Sequence, residues 1–366
     1  MNKLQQLALT RTRGVGVKTL HSLMLHFESP EQVFKASKQA LQAIPGLSKP
    51  SIDAILSKEA WSTAEAELKQ LSQLGINTLW ATDKEYPQRL RHCEDAPLLL
   101  YAKGKADLNP KYAVSIVGSR KATSYGLRLC EELISSLSSM QGLQIISGLA
   151  FGIDIQAHRL ALKHNIPTLG VLGHGFKQLY PAAHRKISDQ MCATGGLLTE
   201  YSYNTKAERI TFPARNRIIA GLSDVTIVVE AAIKGGALIT AEIANSYNRD
   251  VCAFPGSIGQ VYSEGCNYLI KTHRAQLIRN GDDLRYLMGW EQDLKKPVDK
   301  QLSLLGPSPS KDEAAVCAFL AMAHEASIDA IAQQLAWPMS KLAILLLEME
   351  LKEQIIALPG KTYKNL

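Results

Sequence analysis

The chain predicts an α/β fold: a mostly parallel β-sheet with helices on both faces, preceded by a helical domain and followed by a winged-helix domain. Three observations carry this. Short apolar runs recur between residues 113 and 278, each ending in small or basic residues before a helical pattern begins. The intervening segments are long enough for crossover helices, which a parallel sheet requires. A Pro/Ser-rich stretch, Gly306-Pro307-Ser308-Pro309-Ser310, then sets the end of the chain apart. The domains expected are 1–80, 81–290, a linker over 291–310, and 311–366.

From Leu4 to about Leu74 the pattern is helical, broken by Gly14-Val15-Gly16-Val17-Lys18-Thr19-Leu20 and Ile44-Pro45-Gly46-Leu47-Ser48-Lys49-Pro50-Ser51-Ile52. Each resembles a helix-hairpin-helix turn, whose glycines permit a tight bend and expose N–H groups to a DNA phosphate. The alternative is a small SAM-like helical bundle whose glycines merely turn corners. The Gly-x-x-x-x-Gly-Lys-Ser/Thr spacing of an ATP-binding loop is absent.

Tyr86-Pro87 and Asp95-Ala96-Pro97 mark an extended lead-in. Strands are expected at Ala113–Val117, Leu143–Ile146, Thr168–Leu172, Leu197–Thr199, Val225–Val229, Val251–Phe254 and Gln276–Ile278. Beyond the linker, 312–324, 327–335 and 339–350 read as helices, and 354–363 as a β-wing. The third helix carries Leu342, Leu345, Leu346 and Met349 with only Lys341 and Lys352 nearby, a composition for protein contact rather than groove reading.

The first strand runs into Gly118, Ser119 and Arg120: a small residue for close backbone approach, a hydroxyl donor and a planar charged fork, as phosphate demands. A tight turn with a solvent-facing arginine is the plainer reading. Asp154 and His158 follow Ser147-Gly148-Leu149-Ala150; with no nucleophile motif beside it, His158 reads as structural rather than as a base. Arg209, Phe212, Arg215, Asn216 and Arg217 place cations around one aromatic ring, which suits stacking of a base while arginines hold the backbone. Phenylalanines more often lie in cores. Gly235 and Gly236 open a further helix N-terminus suited to an anion. No Gly-x-Gly-x-x-Gly stands at the first βα turn, which disfavours a dinucleotide enzyme.

A formal charge of +7 and a pI near 9.0 point towards acidic partners. Six dispersed cysteines form no Cys-x-x-Cys pair, and no His-Glu-x-x-His occurs among nine histidines; no metal and no disulfide framework are expected. Without a signal-like start or an apolar run of roughly 18 residues, a cytoplasmic protein is expected.

The order of these blocks resembles the DNA-processing DprA (Smf) family. The matching words are Ser115–Arg120 with Tyr125-Gly126, Ser147–Ala150 through Asp154 and His158, and Tyr180-Pro181. They continue through Phe212–Ser223, Val229-Glu230-Ala231, Gly236–Ala241, and Pro255-Gly256 with Gly265-Cys266-Asn267. The resemblance implies a Rossmann-like fold without catalysis or cofactor, binding single-stranded DNA as a homodimer and loading RecA recombinase during natural transformation. It also implies that Gly118, Ser119 and Arg120 line the pocket, Arg209 contacts backbone, Phe212 stacks a base, and Arg215 and Asn216 shape the floor. Arg209 stands where the family often has lysine, His184 where it usually has asparagine, and Gly235 where serine is commoner. A second resemblance is fainter. Gly235-Gly236 followed by Thr240 and Glu242 is similar to the catalytic element of nucleotide phosphoribohydrolases, without its proline, third glycine and spacing.

Overall fold

The computed structural model describes residues 3–290 and 310–365 except 324, 353 and 359–361. The expected linker, Ser310 aside, and the wing tip Pro359-Gly360-Lys361 lie outside the described residues. The chain divides into two compact units, Met1–Leu294 and Lys295–Leu366.

Six helices open the first unit: α1 (Lys3–Arg11), α2 (Val17–His26), α3 (Pro30–Lys35), α4 (Lys38–Gln42), α5 (Lys49–Ser57) and α6 (Trp61–Gln73). Gly14 (φ +74°) and Gly46 (φ +79°) take the left-handed region in the connections from α1 to α2 and from α4 to α5. Ser48 caps α5 by accepting the Ser51 N–H. The helices then feed the sheet through β1 (Ile76–Trp80), β2 (Leu99–Gly104), β3 (Tyr112–Val117), β4 (Leu143–Ser147), β5 (Thr168–Val171), β6 (Gly196–Thr199), β7 (Val225–Val228), β8 (Asp250–Ala253) and β9 (Gln276–Leu277). Between strands run α7 (Gln88–Arg91), α8 (Ser124–Leu137), α9 (Ile153–Lys163), α10 (Arg185–Thr194), α11 (Thr211–Gly221), α12 (Gly236–Ser246) and α13 (Glu264–Lys271), with α14 (Gly281–Leu287) closing the unit.

The nine strands order as β1-β2-β6-β5-β4-β3-β7-β8-β9. All are parallel from β6 to β9, and β1 and β2 pair antiparallel at the other edge. The seven expected strands are present. The two antiparallel ones were not foreseen, since prolines around Leu98 to Tyr101 and a helical pattern before Ile76 masked them. Their pairing, Trp80 opposite Leu99, puts residues on both sides of position 80 in one unit. There Trp80, Leu99 and Tyr101 share a core with the N-terminal helices, and Arg11 donates to Glu67 at 2.7 Å.

β3 is buried throughout, as a run covered on both faces must be. Ala113, Val117 and Ile146 pack against Ile218 of α11 and Ala241 of α12. Val114, Ile116 and Ile145 pack the opposite face against Leu133 of α8 and Ala157 of α9. Strand order reverses between β3 and β7, so the crevice for ligands opens at their carboxyl ends.

In the second unit α15 (Lys311–Ala323), α16 (Ile328–Leu335) and α17 (Met339–Leu351) enclose Val316, Ile331, Leu342 and Met349. β10 (Ala326–Ser327), β11 (Ile355–Leu358) and β12 (Thr362–Asn365) form an antiparallel sheet in the order β10-β12-β11, completing a winged helix.

Candidate nucleic-acid interface

Residues from four connections meet above the carboxyl ends of the parallel strands. After β3, the Ser119 N–H donates to the Glu230 carbonyl at 2.7 Å, and the Ile153 N–H returns to the Ser119 carbonyl at 3.2 Å. A Cβ on Gly118 would stand 2.6 Å from Ile153 Cγ1. The lack of a Cβ at Gly118 therefore makes room for Ile153 at the start of α9. Ser119 Oγ accepts from the Lys121 N–H at 3.0 Å, which leaves its proton available to an acceptor.

Arg120 is exposed, its guanidinium 5.5 Å from the centre of the Phe212 ring, a cation–π spacing. Phe212 is half-buried on the first turn of α11. Tyr180 stands beside it with ring centres 5.6 Å apart and is itself 47% exposed. Sequence reasoning did not assign Tyr180 a role. A large aromatic in a loop at a strand's carboxyl end was the available signal.

Arg215 lies elsewhere than a phosphate contact requires. It is 3% exposed, and its Nη1 donates to the carbonyls of Gly148 (2.7 Å) and Val171. A Cβ on Gly148 would meet this guanidinium at 2.6 Å, so that glycine makes room for a buried cation. Burial lowers the Arg215 pKa to about 10 against the opposing pull of Asp154. Burial likewise raises Asp154, although Arg215 and the Ala150 and Gly148 amides oppose it. Asp154 is thus the counter-charge of Arg215, a role its helix-terminal position alone did not reveal. Arg217 is also spent, paired with Glu200 at 14% and 12% side-chain exposure. Both arginines hold the floor in place and are closed to a strand lying on the surface.

Asn216 reaches from α11 to the first carbonyl of α12, its Nδ2 at 3.4 Å from the Gly236 oxygen. Gly235 caps α12 without a side-chain bond, and Gly236 is exposed with open space around its Cα. Arg209 is exposed just before α11. Lys121, Lys177, Lys206 and Lys234 on the neighbouring connections are exposed too, and none of these five forms an ion pair among the described residues.

His158 is fully buried, bonded through Nδ1 to Thr168 Oγ1 at 2.7 Å. Burial lowers its pKa to about 3, aided by His184 and Arg215, so it is neutral and structural. Glu242, the carboxylate that a hydrolase would use, pairs at 3.0 Å with Arg274 and is half-exposed, about 9 Å along α12 from the helix start.

The family model for DNA recombination-mediator protein A matches residues 77–289, and that for the DprA winged helix domain matches residues 302–361. The Smf protein of Synechocystis is 36% identical over 310 residues, 82% of this chain and 77% of its own. The DNA processing protein DprA of Streptococcus pneumoniae is 42% identical over 202 residues, 55% of this chain and 71% of its own. An X-ray structure of that pneumococcal protein superposes with a TM-score of 0.67 at 33% identity, covering 78% of this chain and 97% of the other. A structure of DNA processing protein A from Helicobacter pylori, described for its single-stranded DNA binding mode, gives 0.53 at 28% identity over 59% of this chain and 96% of the other.

Proposed function

The chain belongs to the DprA/Smf family of DNA-processing proteins, and from that premise we propose that it binds single-stranded DNA in the crevice above β3 and β7. One observation carries the reading: the exposed Arg120 guanidinium stands over the half-exposed Phe212 ring, on a set of connections whose exposed Arg209, Lys121, Lys177, Lys206 and Lys234 form no ion pair among the described residues. Arg120, the Ser119 hydroxyl and Arg209 hold phosphates, Phe212 and Tyr180 offer faces to bases, and Gly235-Gly236 presents the open start of α12. Contacts to backbone and base faces carry little sequence preference. By the same family premise the protein acts in the cytoplasm as a homodimer that loads RecA recombinase onto incoming strands during natural transformation.

The test is titration of a labelled single strand and its duplex across a salt series. Wild-type protein prefers the single strand, with affinity falling steeply as salt rises. Arg120→Ala lowers the slope of log affinity against log salt by about 0.7, one phosphate's worth of released counterions. Equal slopes for the two proteins exclude Arg120 as a phosphate contact. A monomeric mass at micromolar concentration removes the dimer, and RecA filaments that assemble no faster in its presence remove loading.

A further inference from the structure

Beside the loop after β3, whose Ser119 N–H bonds the Glu230 carbonyl at 2.7 Å, lies a cavity of about 570 Å³, within the range of small-ligand sites, whose walls include Thr123, Tyr125, Glu230, Gln260, Tyr262 and Ser263. Several family-matching words that the strand site leaves unused converge on it. Asn267 clamps Gly256 with two hydrogen bonds, 3.1 Å from the Gly256 N–H and 2.9 Å to its carbonyl. The Tyr125 hydroxyl donates to the Pro255 carbonyl at 2.7 Å.

The charge pattern selects what the cavity can take. An α/β fold commonly binds phosphate at the N-terminus of the helix after its first central strand. Here that position at α8 is filled by the protein's own carboxylate: Glu230 accepts from the Thr123 N–H at 2.9 Å and from the Thr123 hydroxyl. A second anion is repelled, so the cavity suits the uncharged part of a nucleotide. Ser263, 7% exposed, makes no side-chain hydrogen bond among the described residues and lines this space. The Gln260 amide adds a donor and an acceptor, and the Tyr262 ring adds a π face. Hydrogen-bonding groups beside an aromatic ring, with Ser119 bonded to the Glu230 carbonyl and Arg120 next to it in sequence, match a nucleoside whose phosphate stays on the loop.

We propose that this cavity takes one nucleoside of the bound strand, adjacent to the nucleotide held at Phe212. The proposal rests on the strand-binding reading above. The test uses the full chain and oligothymidylates carrying 5-iodo-2′-deoxyuridine at single positions, irradiated and mapped by mass spectrometry. One position is expected to cross-link to Phe212 or Tyr180 and its neighbour to Tyr262 or Tyr125. At the accessible wall, Tyr262→Ala weakens the strand about tenfold, one stacking interaction, and Gln260→Ala weakens it about fivefold, one hydrogen bond. Cross-links confined to Phe212 and Tyr180, with unchanged affinity in both variants, overturn the second pocket and leave the strand site standing. Saturation transfer to thymidine monophosphate that Gln260→Ala abolishes, without a strand cross-link at Tyr262, overturns the strand as occupant in favour of free nucleotide. No cross-link and no strand affinity overturn both readings.

Discussion

The crevice above the sheet and the third helix of the winged-helix unit both carry cations, yet they dispose of them in opposite ways. In the crevice the buried arginines are engaged inside the protein, Arg215 by the Gly148 and Val171 carbonyls within the field of Asp154 and Arg217 by Glu200, while Arg120 and Arg209 remain exposed. In the winged helix the two cations at α17 are taken by α15: Lys341 pairs with Asp312 and Lys352 with Glu313, each at 2.7 Å. What remains on that helix is Ile344, Leu347 and Leu351, 62%, 58% and 77% exposed, beside Glu348 and Glu350. A net charge of +7 therefore says little about where a polyanion can bind. The neighbour of each cation decides whether it is scaffolding or contact.

The sharpest way to break this comparison is Arg215→Ala. Removing one member of a buried charge set leaves Asp154 uncompensated and costs about 3–5 kcal/mol, read as a shift in the chemical denaturation midpoint. Near-native stability would mean that Arg215 is not part of the floor.

Acid titration probes the same floor. The unfolded His158 imidazole takes a proton below about pH 6.5 and the buried one only near 3. The unfolded state therefore binds more protons across that window, and stability falls by about 1.4 kcal/mol per pH unit as pH drops through it. His158→Gln flattens that part of the stability curve. An unchanged slope would place the acid-labile group elsewhere.

A surface aromatic should affect binding without affecting folding. Phe212→Ala costs about 1–3 kcal/mol of single-strand affinity at an unaltered denaturation midpoint. Equal losses on single strand and duplex would count against stacking.

The smallest effect belongs to the winged helix. Lys341→Ala changes stability by no more than about 1 kcal/mol, since its pair with Asp312 is nearly half-exposed on both sides. Strand affinity and its salt slope stay as in wild type. A reduced slope would return α17 to the DNA surface.

Much of the fold was legible because apolar runs and their punctuation report local physics. The parallel strands β3 to β7 are buried throughout and read as short apolar stretches. β1 and β2 escaped because β1 continues from a helical pattern and β2 follows the proline at position 97, so neither carries the punctuation of a strand leading into a crossover helix. At the site, Gly118-Ser119-Arg120 and Phe212 were legible as a strand-end turn and an aromatic among cations. Arg215 and Arg217 share the composition of a phosphate clamp with Arg120, and nothing in the local sequence distinguishes them.

Sequence alone determined the α/β layering, the sites of the turns and the stock of charges, because these follow from periodicity and residue chemistry over a few neighbours. Tertiary structure decided which charges are free. Asp154 acts on Arg215 electrostatically across 61 residues, Glu200 pairs with Arg217 from another connection, and Glu230 fills the start of α8 across 107 residues. Such pairings depend on which loops the sheet order brings to one edge, and local sequence does not specify that order.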